Sequence, residues 1–255
     1  MDHFSNAMLL TIFVVFCLAG FVKGVIGLGL PTIAIGLLAT RMPPANAVAI
    51  VIVPSILTNI WQTFVGPYLR DILKRLWPLL VCCLIGVWTG AAAGLLTGPF
   101  APYGTIALGV LLVIYGGISL ARFQFRVARK NEKWIGGVVG MLTGLFAAAT
   151  GVQVIPSMPF MQAIGMEREE MIQALGVFFT TATLAMLFNL SSAGLLSVAL
   201  ALPGGIALAA AFLGMYLGQV LRERMEPETF RRWFLISLIF LGLYLAVEKI
   251  IELRG

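Results

Sequence analysis

The chain has 255 residues, of which 60% are apolar and 11% charged, with a net charge of +6 and a mean hydropathy of +1.00. This composition belongs to polytopic membrane proteins and leaves no stretch polar enough for a soluble domain between the apolar segments. The positive charge sits in connections, where it reads as a topology signal and an affinity for membrane lipids; nothing in the sequence is a nucleic-acid module.

The first apolar run covers 7–39 and lacks a basic leader or a cleavage site followed by a polar chain, so it is read as retained. As one helix it would be about 50 Å long against roughly 30 Å of hydrocarbon, so it tilts steeply or breaks and turns back. Gly20, Gly24, Gly27, Gly29 and Pro31 place the break in 20–31; glycine permits the turn, and proline suits the first position of a new helix. Lys23 is the only basic residue well inside an apolar segment. Two short helices meeting here leave backbone groups at membrane depth that protein or a wet cavity must satisfy, which is how ion and anion sites are built in transporters. The alternative is a surface loop between two ordinary spans, with Lys23 reaching the headgroups.

Residues 30–40 form a short apolar segment and 46–64 the next, carrying Pro54, Ser55, Thr58, Asn59 and Gln62. Thr58, Asn59 and Gln62 share one helix face by their spacing, and that face is expected to look into the bundle, toward a ligand or a neighbouring helix. A basic connection at 68–76 precedes a segment with Gly86, Gly90, Gly94 and Gly98 at intervals of four, a smooth ridge for close helix packing. After a turn at 98–102 the chain crosses again over 103–121. The most basic connection then carries Arg122, Arg126, Arg129, Lys130 and Lys133 and divides the chain into a first repeat, 1–121, a cytoplasmic linker, 122–133, and a second repeat, 134–255.

The second repeat opens on Gly136, Gly140 and Gly144, followed by Thr150, Gly151, Val152, Gln153 and Pro156. Gly20 and Gly24 match Gly140 and Gly144 at an offset of 120, and Gly90 and Gly94 match Gly214 and Gly218 at an offset of 124. Residues 171–190 carry Gln173, Thr180, Thr181, Thr183 and Asn189, and segments at 194–220 and 230–247 complete the half. Counting about five apolar segments per half, with those beside each glycine break crossing or returning as a pair, puts thirteen basic residues on one side and Arg41, Lys249 and Arg254 on the other. This predicts an all-α polytopic protein of two inverted repeats, each with a glycine-rich broken or re-entrant helix pair, and both termini outside the cytoplasm. Cys17, Cys82 and Cys83 lie in apolar segments and the single histidine is His3, a pattern that argues against a metal, a cofactor or a disulfide framework.

The glycine pattern resembles the sulfite exporter TauE/SafE family of bacterial membrane proteins, also called the four-toluene-sulfonate uptake permease family. Its motif, approximately G-x-x-x-G-x-x-G-x-G-G-G before apolar residues and a proline, is represented by Gly20, Gly24, Gly27 and Gly29, with Leu30 and Pro31 in place of its later glycines. In the second half Gly140, Gly144 and Gly151 remain, Ala147, Ala148 and Ala149 stand where the glycine cluster would fall, and Pro156 resembles the following proline. The resemblance covers nearly the whole chain and implies transport or export of sulfite, thiosulfate, a sulfonate or a related small organic anion in the bacterial inner membrane.

The residues fit a carrier for a small anion rather than an enzyme. Gly24, Gly27, Gly29 and Gly151 would open backbone N–H groups to the substrate, and helices starting near Thr32 and Val152 would point positive ends at it. Lys23 would add a charge, and Asn59, Gln62, Gln153, Thr180 and Thr183 hydrogen bonds. No Asp or Glu lies in mid-segment to relay protons. An anion channel, or an uptake permease coupled to a proton or sodium ion, is the alternative. Coupling ion and homo-oligomeric state stay open.

Overall fold

The computed structural model describes residues 5–26, 29–97, 100, 103–121, 126–196, 200–222 and 227–254. These form ten α-helices: α1 (Asn6–Ile26), α2 (Leu30–Leu38), α3 (Pro44–Phe64), α4 (Leu69–Ala92), α5 (Gly104–Leu120), α6 (Glu132–Thr150), α7 (Ser157–Ala163), α8 (Arg168–Ser192), α9 (Ala201–Arg222) and α10 (Pro227–Arg254). Seven are long and apolar enough to cross a membrane, and α5 is a shorter apolar helix of 17 residues. The chain is an all-α polytopic membrane protein. With nine and seven residues, α2 and α7 extend only about 13 and 10 Å, less than half the hydrocarbon thickness.

The first run breaks inside the expected 20–31, but the helix before the break is 21 residues long rather than short. Helix α1 continues through Gly20 and Gly24 to Ile26, and α2 begins after Gly29, whose φ of +104° suits glycine, then folds back against α1 and lies beside α3. The reason lies across the interface. A Cβ at Gly20 would run into the carbonyl of Ala211, and one at Gly24 into that of Met215, both on α9. These glycines let two helix backbones touch, while the turn falls later. Gly27 lies outside the described residues, as do Met1 and Gly255.

The same interface recurs between α4 and α6. Cβ atoms at Gly140 and Gly144 would meet the carbonyls of Leu79 and Cys83, and Gly86 presses on Met141 as Gly218 presses on Phe21. In both seams the helices run parallel. Gly20 and Gly24 thus occupy the places of Gly140 and Gly144, but the counterpart of Gly218 is Gly86 rather than Gly94, which lies past the end of α4 with φ +68°. A ladder of period four matches itself after a slip of two turns, so sequence alone placed this register wrongly.

Counterpart helices also meet directly. Gly109 of α5 packs on Gly242 and Ala246 of α10, while Gly116 packs on Leu235 and Ile239, so this pair is antiparallel. Thr63 of α3 faces Thr180 and Gly176 of α8, while Gly66 faces Gln173, again antiparallel. The starts of α4, α6 and α8 gather at one end, where Arg75 makes a bidentate pair with Glu132 at 2.9 Å, reaches Glu170 at 3.6 Å and donates to the Ile164 carbonyl at 2.8 Å. Phe16, Ile35, Ile50, Leu79, Leu112 and Phe178 form the buried centre, and Trp61, Trp134, Trp233 and Phe240 are exposed on the outside, as a lipid-facing surface requires.

Candidate functional site

Helix α3 has Pro54 in its interior, which removes one backbone donor and loosens the helix one turn before Thr58. Ser55, Thr58 and Asn59 follow at i, i+3 and i+4 and so share a face. Lys23, one turn before the end of α1, inserts its stem here. It is only 7% exposed, and its Nζ donates to Thr58 Oγ1 at 3.0 Å and Asn59 Oδ1 at 3.1 Å. Thr58 passes its own hydrogen back to the Pro54 carbonyl at 2.9 Å. The surface-snorkelling alternative does not hold, because an ammonium reaching headgroups would be exposed at its tip.

The pocket is not saturated. Asn59 Nδ2 and Ser55 Oγ are buried without a hydrogen-bond partner, as is Thr32 Oγ1 on α2. Buried polar groups are nearly always paired, and each orphan costs about 1–3 kcal/mol. Asn59 Nδ2 lies on the amide that accepts from Lys23, and Ser55 Oγ one turn before it on the same face, so both are donors in search of an acceptor, which is the chemistry an anion supplies.

The remaining expected site residues separate into other roles. Gln62 donates to the Ile172 carbonyl of α8 at 2.7 Å, and Thr180 pairs with Thr63 at 3.0 Å, so both tie α3 to α8 rather than join Lys23. Gln153 and Thr183 form a second buried group: Thr183 Oγ1 donates to Gln153 Oε1 at 3.3 Å, and Gln153 Nε2 lies 3.7 Å from Met186 Sδ. Gly151 ends α6 at φ +77° and is crowded by Val48 of α3 and Ile35 of α2. The second break thus abuts the first half at α2 and α3. Helix α2 starts at Leu30, close to the expected position near Thr32, whereas α7 starts at Ser157, five residues after Val152. Gly24 belongs to the α9 seam and Gly29 to the turn.

Ser55 and Thr58 carried only a helical-face signal in the sequence, and their spacing to Asn59 was the clue to the pocket. Gln173 was passed over. It holds the end of α3 by donating to the Thr63 and Gly66 carbonyls at 2.9 and 3.0 Å and accepting from the Tyr68 N–H at 2.9 Å.

No curated protein and no solved structure matches the chain. The family described as sulfite exporter TauE/SafE matches residues 12–245, nearly the full length. The chain belongs to the sulfite exporter TauE/SafE family of multi-pass membrane transporters.

Proposed function

We propose that the protein is an alternating-access carrier that exports a small sulfur-containing anion, such as sulfite, thiosulfate or a sulfonate, across the bacterial inner membrane. The observation that carries this reading is Lys23, buried against neutral Thr58 and Asn59 with unpaired donors on the same face. A buried lysine without a counter-charge on a helix long and apolar enough to span a membrane marks a ligand pathway.

Two halves of opposite orientation supply the access mechanism. Supporting this, α3 and α5 run antiparallel to α8 and α10, and the α1–α9 seam repeats as α6–α4. Exchanging the halves leaves the packing scheme intact, as expected of inverted repeats that rock about a central site.

The test is transport by purified protein in sealed vesicles, against sulfite, thiosulfate, sulfonates and carboxylates. Saturable flux of sulfur anions, lost in Lys23→Met, is expected. Flux no greater than in protein-free vesicles for the whole panel would overturn the assignment.

A further inference from the structure

The chemistry of the Lys23 pocket goes a step beyond anion binding, and this step rests on the reading that the pocket receives the substrate. Lys23 Nζ has two acceptors, Thr58 Oγ1 and Asn59 Oδ1. A neutral amine has two hydrogens and a lone pair, whereas an ammonium has three hydrogens. These two acceptors therefore pair every N–H of an amine and leave one N–H of an ammonium over.

Nor does any charge balance an ammonium here. Lys23 makes no ion pair among the described residues. From α3 it is faced by Ser55, Thr58 and Asn59, all neutral, and α9 brings Met215, Gly218 and Gln219 to the adjoining turn at Gly24. Helices α2 and α3 contain no charged residue, α9 none within Ala201–Leu221, and α10 none over 233–247. In the second half Thr143 takes the place of Lys23 by the register of the glycine seams, with its hydroxyl bonded to the Val139 carbonyl at 2.7 Å. Among the described residues, Lys23 is the one buried lysine.

An anion reverses the balance. Its negative charge offsets an ammonium, and its oxygens accept from the third N–H, from Asn59 Nδ2 and from Ser55 Oγ, the groups now unpaired. We propose that Lys23 is the proton-coupling group of the transport cycle, an amine when the pocket is empty and an ammonium when it is filled, so that each anion crosses with one proton. On the loading side an O–H bond of a hydronium ion breaks, leaving water, as its proton bonds to the Nζ lone pair and the anion enters. On the far side that N–H bond breaks, the electron pair returns to nitrogen, and proton and anion leave together. No carboxylate relay is required.

The experiment uses purified full-length protein in sealed vesicles containing a pH dye, with outwardly directed gradients of sulfite and of thiosulfate. Thiosulfate has no titratable proton near neutrality, so a proton that moves with it is carried by the protein. The wild type is expected to move about one proton with each thiosulfate. Lys23→Arg, whose guanidinium keeps its charge, is expected to retain anion-for-anion exchange while losing most net efflux. Anion flux without protons in the wild type, or net efflux in Lys23→Arg equal to wild type, would overturn proton coupling and leave the transport reading standing. Absence of wild-type flux of both anions, or unchanged anion affinity in folded Lys23→Met, would instead overturn the reading on which the proposal rests.

Discussion

Ser55 and Gln173 are both 1% exposed, yet their bonding is opposite, and the contrast separates what a ligand needs from what the fold needs. Gln173 spends its amide on three backbone groups at the end of α3, where helix carbonyls would otherwise be orphaned. Gln173→Leu should therefore lower stability by about 2–3 kcal/mol, read as a falling melting temperature in detergent. The Ser55 hydroxyl has no partner in the protein. Ser55→Ala should leave stability unchanged or slightly raised, and weaken anion binding by about three- to tenfold, the worth of one hydrogen bond. A lower melting temperature with unaltered affinity would assign Ser55 to the fold. Lys23 was legible in the sequence as the one misplaced charge, but its partners lie 35 and 36 residues away on α3, a distance that no local pattern spans.

At the scale of elements, glycine has two uses that look alike in sequence. Gly29 and Gly151 supply positive φ at turns, whereas Gly20, Gly24, Gly140 and Gly144 remove side chains between parallel helices. Four glycines before a proline placed the break only within 20–31, because both uses ask for a small residue and differ only in what lies opposite. The ten helical segments among the described residues were legible from hydropathy, whereas the full length of α1, packed along α9, was not. The seam accounts for a direct comparison. Gly20→Val and Gly140→Val should each abolish folded protein, since backbone carbonyls occupy the space and have no room to move. Gly205→Ala, where nothing lies within 4 Å, should gain about 0.5–1 kcal/mol from helix propensity. Comparable thermal stability of Gly20→Val and the wild type would refute the seam.

At the scale of the whole molecule, charged side chains of α4, α6, α8 and the turn before α6 gather at one end. Arg75 binds α4 to α6 and α8 at an end that also carries Asp71, Lys74, Arg129 and Lys133 around a cavity of about 490 Å³. The sequence assigned these basic residues to one membrane side by counting, and the fold brings the starts of the three helices together. This end is expected to face the cytoplasm. Single cysteines at Asn6 and Asn131 should label from opposite faces of the membrane; labelling of both from one face would reject the orientation. What hydropathy and charge left unresolved was which polar side chains meet, because a cluster of α3 side chains and one α1 lysine emerges only when the helices pack.

The carrier account turns on whether that pocket opens to each side in turn and receives the anion. The most direct measurement places a cysteine at Ser55 in a chain whose Cys17, Cys82 and Cys83 are replaced by alanine, and follows its reaction with a membrane-impermeant thiol reagent applied to either face of sealed vesicles. The account predicts modification from both faces, slowed by sulfite or thiosulfate at concentrations that saturate transport. A cysteine that reacts at the same rate with and without anion, or from neither face, would contradict it.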